Sequence, residues 1–208
     1  RLDFGFDGVF DPFTIDDVYS YSGDFGFITN SKPERDSTSF YGQGTWNHSD
    51  SLRTVFGLRH TKDEVYSAVT NFYGRSGTDI LETDGNKVTG RFVVEKDIDD
   101  NTMVYGSFTR GYKPGGSNLT YGREDEVAQI VVLPTFQEEI VDAFEVGLKT
   151  DLADGRARLN AAAFFYNYEG LQYQATDPEV FEGGVGNIPD SEIYGAELEL
   201  STFLSDSV

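Results

Sequence analysis

The sequence predicts an all-β fold, an antiparallel up-and-down meander of about eight strands with the two-residue alternation of a transmembrane β-barrel. Three observations predict it. Segments of roughly ten residues alternate apolar and polar side chains, which gives each strand one face of each kind. The connections between them are by turns short and long. The composition also favours strands and turns over helices, because only 38% of the 208 residues are hydrophobic while 23 are Gly, 12 Tyr and 17 Phe.

Taken in order, residues 17–27 form a first, aromatic-rich strand interrupted by Gly23 and Gly26. Residues 30–36, with Pro33 among charges, read as loop. Over residues 39–47, Phe40, Gly42, Gly44 and Trp46 share one face, and Tyr41, Gln43, Thr45 and Asn47 the other. His48, Ser49 and Asp50 make a short turn. Leu52, Thr54, Phe56 and Leu58 then line a strand opposite Arg53, Gly57 and Arg59, and charge on that second face is incompatible with a dry core. Residues 61–85 are polar and without period, so they read as a long loop. Residues 87–96 resume as a strand with Val88, Phe92 and Val94 against Thr89, Arg91, Val93 and Glu95. The stretch 97–101 turns it into another strand over 102–112. Residues 111–137, with Pro114, Gly115, Gly116 and Pro134, are irregular.

The clearest hairpin occupies residues 139–168. Phe144, Val146 and Leu148 alternate with Ala143, Glu145, Gly147 and Lys149. The run Asp151-Leu152-Ala153-Asp154-Gly155 supplies turn chemistry, because Asp and Gly tolerate the left-handed backbone of tight hairpins. Leu159, Ala161, Ala163 and Phe165 share one face of the return strand; the other opens with Arg158 and Asn160 and becomes aromatic at Phe164, Tyr166 and Tyr168. Residues 169–190 read as a third long loop. The last strand, 193–202, sets Tyr194, Ala196, Leu198 and Leu200 against Gly195, Glu197, Glu199 and Ser201. Connections of about three to five residues near 48, 99 and 153 thus alternate with connections of about 20 or more around 73, 124 and 180, as a membrane barrel with tight turns on one rim and long loops on the other requires.

A formal net charge of −20 argues against binding nucleic acid or an anionic membrane surface. The absence of cysteine excludes disulfides, thiol nucleophiles and thiolate metal sites. No apolar run reaches the roughly 18 residues of a transmembrane helix, which leaves a membrane β-barrel open. The chain opens at Arg1 with neither Met nor a signal segment, so it is read as a fragment.

No catalytic residue, metal site or cofactor is predicted, and no ligand-binding residue is assigned. Asp97, Asp99 and Asn101 match the first three ligands of a calcium loop, but Thr102 stands where Gly is needed and Phe108 where the bidentate Glu belongs. His48 and His60 have no nearby Cys to complete a zinc site. With 36 carboxylates no catalytic pair stands out, and neither a Gly-x-Ser-x-Gly nor a phosphate-binding Gly-Lys-Ser/Thr occurs. The run from Gly111 through Tyr112, Lys113, Pro114, Gly115 and Gly116 reads as a strand end at which the chain bends away, in preference to a ligand cradle. Tyr112, Tyr121, Tyr173 and Phe181 suit either stacking on a ligand or an interfacial aromatic belt, the belt being preferred, and Trp46 reads as an interface anchor.

Four stretches together resemble the barrel of TonB-dependent outer-membrane receptors. They are Met103-Val104-Tyr105-Gly106-Ser107-Phe108-Thr109-Arg110-Gly111-Tyr112-Lys113-Pro114-Gly115-Gly116, Val141-Asp142-Ala143-Phe144-Glu145-Val146-Gly147-Leu148-Lys149-Thr150-Asp151-Leu152, Arg158-Leu159-Asn160-Ala161-Ala162-Ala163-Phe164-Phe165-Tyr166 and Ile193-Tyr194-Gly195-Ala196-Glu197-Leu198-Glu199-Leu200. The resemblance covers roughly residues 37–204, residues 1–36 matching less clearly. It implies that residues 1–208 are part of a larger transmembrane barrel, of which the plugged type has about 22 strands. It further implies a place in the outer membrane and TonB-energised uptake of a scarce nutrient: a ferric siderophore, vitamin B12 or an oligosaccharide. The expected partners are outer-membrane lipid, TonB, the plug domain and that small-molecule ligand. This sequence departs from the family pattern in carrying neither a plug nor a closing strand. On this reading Arg53, Arg59, Arg91, Glu145, Lys149, Glu197 and Glu199 line a water-filled lumen. The alternatives are a small outer-membrane structural or adhesion barrel and a secreted carbohydrate-binding β-sandwich.

Overall fold

In the computed structural model of the chain, which describes residues 5–10, 13–14, 18–22, 27–71, 78–118, 133–176 and 183–202, no described residue is helical. No helix is therefore available to cross a membrane among them. The strands are β1 (Gly5–Phe10), β2 (Phe13–Thr14), β3 (Val18–Ser22), β4 (Phe27–Ser49), β5 (Leu52–Asn71), β6 (Thr78–Asp97), β7 (Thr102–Lys113), β8 (Gly116–Ser117), β9 (Thr135–Phe136), β10 (Glu139–Leu152), β11 (Ala157–Thr176) and β12 (Gly183–Thr202). One antiparallel sheet runs β1-β4-β5-β6-β7-β10-β11-β12, and β8 pairs with β9 apart from it. β1, β2 and β3 all pair with β4, Gly5 opposite Gln43, Phe13 opposite Arg35 and Ser22 opposite Phe27. They are three pieces of one interrupted strand. With seven long strands beside it, the meander has eight strand positions, but the first lies within residues 5–22 and not at 17–27, since Phe27 already belongs to β4.

The register assigns each face. Phe56, Phe92, Phe108, Phe144, Phe165 and Tyr194 stand directly opposite one another on six successive strands. Phe108 and Phe144 are in ring contact at 4.9 Å between centroids. Around this row lie Leu58, Val88, Val146, Ala163, Leu198 and Leu200 on the same face. Tyr194 is 76% exposed and Leu198 74%. So broad an apolar surface is stable only against an apolar solvent or partner. The opposite face carries all seven residues that alternation singles out: Arg53 and Arg59 on β5, Arg91 on β6, Glu145 and Lys149 on β10, Glu197 and Glu199 on β12. By register this polar face also holds Tyr41, Tyr105, Phe164 and Tyr166.

At one rim the connections are tight. Ile98 N–H donates to Thr102 O (2.8 Å) and Asn101 N–H to Asp99 Oδ1 (2.8 Å), which closes the turn after β6. Between β10 and β11, Arg156 N–H donates to Ala153 O (3.2 Å) across Asp154 and Gly155, at φ 54° and 82°. Both central residues are left-handed, as a type I′ hairpin turn requires. Ala153 itself has φ 53°.

At the other rim the structure corrects three readings. Residues 30–36 lie within β4; most of 61–85 forms the paired ends of β5 and β6; and much of 169–190 forms the ends of β11 and β12. These stretches show no apolar alternation because both of their faces are polar, yet backbone pairing continues through their described residues, with one pair skipped at Gly170 between β11 and β12. A 20-residue strand is about 65 Å long, roughly twice what tilted membrane strands of about ten residues need, so β5, β6, β11 and β12 extend beyond the apolar belt.

Candidate functional site

The polar face is the candidate site, and its side chains follow from strand register. On β5, Arg53 pairs with Glu95 and, through Nη1, with Asp97 Oδ2 at 3.0 Å. Arg59 has hydroxyl partners, Ser39 Oγ at 2.5 Å and Thr61 Oγ1 at 3.2 Å, and lies 5.9 Å from the centre of the Tyr41 ring. Arg91 has no carboxylate partner among the described residues. Of the seven residues, the three guanidinium groups stand on β5 and β6, and Glu145, Glu197 and Glu199 on β10 and β12. Tyr105 donates to Glu145 Oε1 (2.6 Å) and lies beneath Lys149 Nζ at 5.6 Å, and Asn160 donates to Glu199 Oε2 at 3.1 Å.

Glycines let two aromatic side chains of this face lie flat against the wall. Tyr105 stands opposite Gly147 and Phe164 opposite Gly195. Each ring lies where a β-carbon would otherwise be. Phe164 also stacks on Tyr166 at 4.8 Å. The two rings thus cover the backbone at Gly147 and Gly195. Gly147→Ala is expected to drive the Tyr105 ring outward, away from Glu145, and to cost about 1–3 kcal/mol as an overpacking change. Urea midpoints for Gly147→Ala, Tyr105→Ala and the double variant measure it. Strong non-additivity is expected, since removing the ring removes the clash.

Above the apolar belt, toward the rim of long strands, Arg35 Nη2 donates to Asp63 Oδ1 at 3.0 Å, Asp63 being 2% exposed. β7 leaves β6 after Arg110. The Tyr112 hydroxyl fills the space at Gly85, directly opposite Asp63 on the neighbouring strand. Neither that hydroxyl nor Asp63 Oδ2 completes a hydrogen bond of good geometry. Burial, and then the Asp63 charge, hold the Tyr112 hydroxyl well above the usual tyrosine range. Tyr112 is thus a packing residue at the rim, neither a belt residue nor a free stacking platform.

The other singled-out residues divide as follows. Trp46 is 58% exposed on the apolar face and stacks on His48 at 5.8 Å, as an interface anchor would. Tyr173 lies against Gly186, still 43% exposed. Tyr121 and Phe181 lie outside the described residues. His48 contacts Thr54 Oγ1 (2.9 Å) and His60 contacts Asn86 Oδ1 (2.6 Å), so the two imidazoles have separate polar partners. Asp97 is engaged by Arg53 and Asp99 by its own turn, which accounts for the calcium-like spacing as turn chemistry. Asp97, Asp99, Lys96, Lys149, Asp151 and Arg158 border an open depression of about 910 Å³ at the tight-turn rim. Gly115 and Gly116 do not carry the chain away from the rim. They let it approach Phe136 closely, with a β-carbon at Gly115 falling 2.6 Å from the Phe136 carbonyl oxygen.

Sequence reasoning missed Asn118, Gln137, Gln172 and Asn187, which tie the β7–β10 connection to β11 and β12. A lone amide in a polar stretch carries no periodic signal by which it could be found.

The chain matches the family model described as "TonB dependent receptor-like, beta-barrel" over residues 1–206. Among solved structures it is similar to the ferric yersiniabactin uptake receptor FyuA from Yersinia pestis, with 20% identity and a TM-score of 0.71 over 91% of this chain and 28% of that one. It is similar also to the siderophore receptor PiuA from Acinetobacter baumannii, with 22% identity and a TM-score of 0.64 over 85% of this chain and 24% of that one. A third is the Serratia marcescens hemophore receptor HasR in complex with its hemophore HasA and heme, with 15% identity and a TM-score of 0.62 over 96% of this chain and 40% of that one. The chain therefore spans well under half the length of each.

Proposed function

Since this chain belongs to the TonB-dependent receptor β-barrel family, and its sheet is accordingly part of a transmembrane barrel, we propose that it is a sector of the wall of an outer-membrane uptake receptor for a ferric siderophore. The observation that carries this reading is the segregation of the two faces over seven consecutive long strands: an aromatic and aliphatic face for lipid, and a charged face for a wet interior. The resemblance to siderophore receptors favours iron chelates over vitamin B12 or oligosaccharides. The molecule acts by binding and passage and not by catalysis. Arg59 and Arg91 present cationic groups to the lumen, while Glu145, Glu197 and Glu199 present anions. Together they form a polar surface on which a plug domain packs in the full receptor, and TonB supplies the energy from the inner membrane.

The experiment is uptake of radio-iron chelates by iron-starved cells with and without the receptor gene. Siderophore-dependent uptake that disappears in the deletion strain and in a strain lacking TonB is the expected result. Unchanged uptake of every ferric siderophore tested, with a loss of vitamin or sugar uptake instead, would reassign the ligand class.

A further inference from the structure

The described ends of the β7–β10 connection lie against the polar face of the sheet, toward the rim of long strands. After Lys113 the chain passes Pro114 and Gly115, and Gly116 and Ser117 then pair with Phe136 and Thr135. β8 packs on β5 and β6, while β9 packs on β12. In the sheet order β7, β10 and β11 lie between those two supports, so the ribbon spans their width on the polar side.

Both supports are sealed by polar side chains that leave few groups unpaired. On β5, Ser67 is fully buried, with its Oγ 2.6 Å from Ser117 Oγ, and Val69 beside it is also fully buried. On β12, Asn118 Nδ2 donates to Val185 O (2.9 Å), and Val185 N–H donates back to Asn118 Oδ1 (2.8 Å). The same Nδ2 donates to Leu133 O (2.9 Å), and Asn118 N–H donates to Pro134 O (2.8 Å), which joins the two ends of the connection. At the base, Gln172 Nε2 donates to Pro114 O and Gln137 O, and Asn187 Nδ2 donates to Gln137 O and Gly170 O. Asn118 is only 5% exposed. Lifting the ribbon would break these linked bonds together, and a connected network is worth more than its bonds taken singly.

We infer that the described ends of the β7–β10 connection form a fixed inner strap that narrows the mouth over this sector, so that ligand passes beside the strap and does not displace it. The strap would then help set the size of chelate the receptor admits. This rests on the uptake reading for the meaning of the mouth, but the docking itself can be tested without it.

Residues 1–208 contain no cysteine, so single Ser67→Cys and Glu64→Cys variants of the receptor carrying them, made with any cysteine outside this stretch replaced by serine, report in intact cells. Glu64 is on the outward face of the same strand with its side chain 59% exposed. Maleimide labelling of Ser67→Cys is expected to be at least about tenfold slower than that of Glu64→Cys, and adding Asn118→Ala is expected to raise the Ser67→Cys rate alone. Equal rates in the parent background, or protection that survives Asn118→Ala, overturns the strap. A Ser67→Cys/Ser117→Cys pair tests its fixity. Ferric-chelate uptake equal in the oxidised and reduced states is expected. Uptake lost on oxidation and recovered on reduction would show that the strap must move, against the proposal. Absence of all uptake in both states would count against the uptake reading, while the labelling ratio would still decide the docking.

Discussion

Phe108→Arg is expected to destabilise the fold in a bilayer by about 2–4 kcal/mol, because it places a guanidinium in the middle of the apolar face that the barrel reading turns to lipid. Phe108 is in the middle of the aromatic row, opposite Phe92 on one side and Phe144 on the other. The substitution therefore also removes a ring contact of about 0.5–1.5 kcal/mol. The control is one residue away. Ser107 is on the polar face directly opposite Glu145, so Ser107→Arg gains an anionic neighbour, and its effect is expected to stay within about 1 kcal/mol. Urea midpoints of the receptor folded into vesicles measure both. Equal losses for the two variants would mean that the faces are assigned wrongly, because nothing but side-chain direction separates these positions.

Gly170→Ala is expected to be the most damaging of the glycine substitutions, at more than about 2 kcal/mol. Gly170 has φ 67°, and the left-handed backbone alone costs an alanine about 1–2 kcal/mol. Its β-carbon would also stand 2.6 Å from the Glu138 carbonyl oxygen. That carbonyl has little room to retreat. Glu138 pairs with Lys87, Glu139 Oε2 accepts from Gln172 N–H at 2.7 Å, and Asn187 bonds the carbonyls of Gly170 and Gln137. Gly155→Ala separates the two causes. Gly155 has φ 82° with no atom within 4 Å of its β-carbon, so only the backbone cost of about 1–2 kcal/mol applies. Thermal midpoints in detergent are expected to fall in the order wild type, Gly155→Ala, Gly170→Ala. A Gly170→Ala midpoint no lower than that of Gly155→Ala would refute the close approach that holds the strap's base.

Along the chain, the part of the fold that a bilayer imposes is written in the alternation. Wherever one face meets lipid and the other water, side chains must alternate, so Phe56, Leu58, Phe92, Phe144, Val146, Leu198 and Leu200 and their polar neighbours could be read as strands with assigned faces before any pairing was known. The Asp-Gly of the β10–β11 turn was equally legible, because few residues accept its left-handed backbone. The charged residues of the second face followed from the same alternation, and all seven lie on one face.

Above the belt that constraint ends. Both faces of the β5–β6 extension are polar, so residues 61–85 read as loop even though backbone hydrogen bonds carry the sheet through most of them. Packing in three dimensions set Tyr105 and Phe164 over Gly147 and Gly195, put Tyr112 in the space at Gly85, and led Pro114-Gly115-Gly116 inward rather than away. These outcomes depend on close approach between residues tens of positions apart. They are set by shape and by the satisfaction of buried amides such as Asn118, which leave no period along the chain.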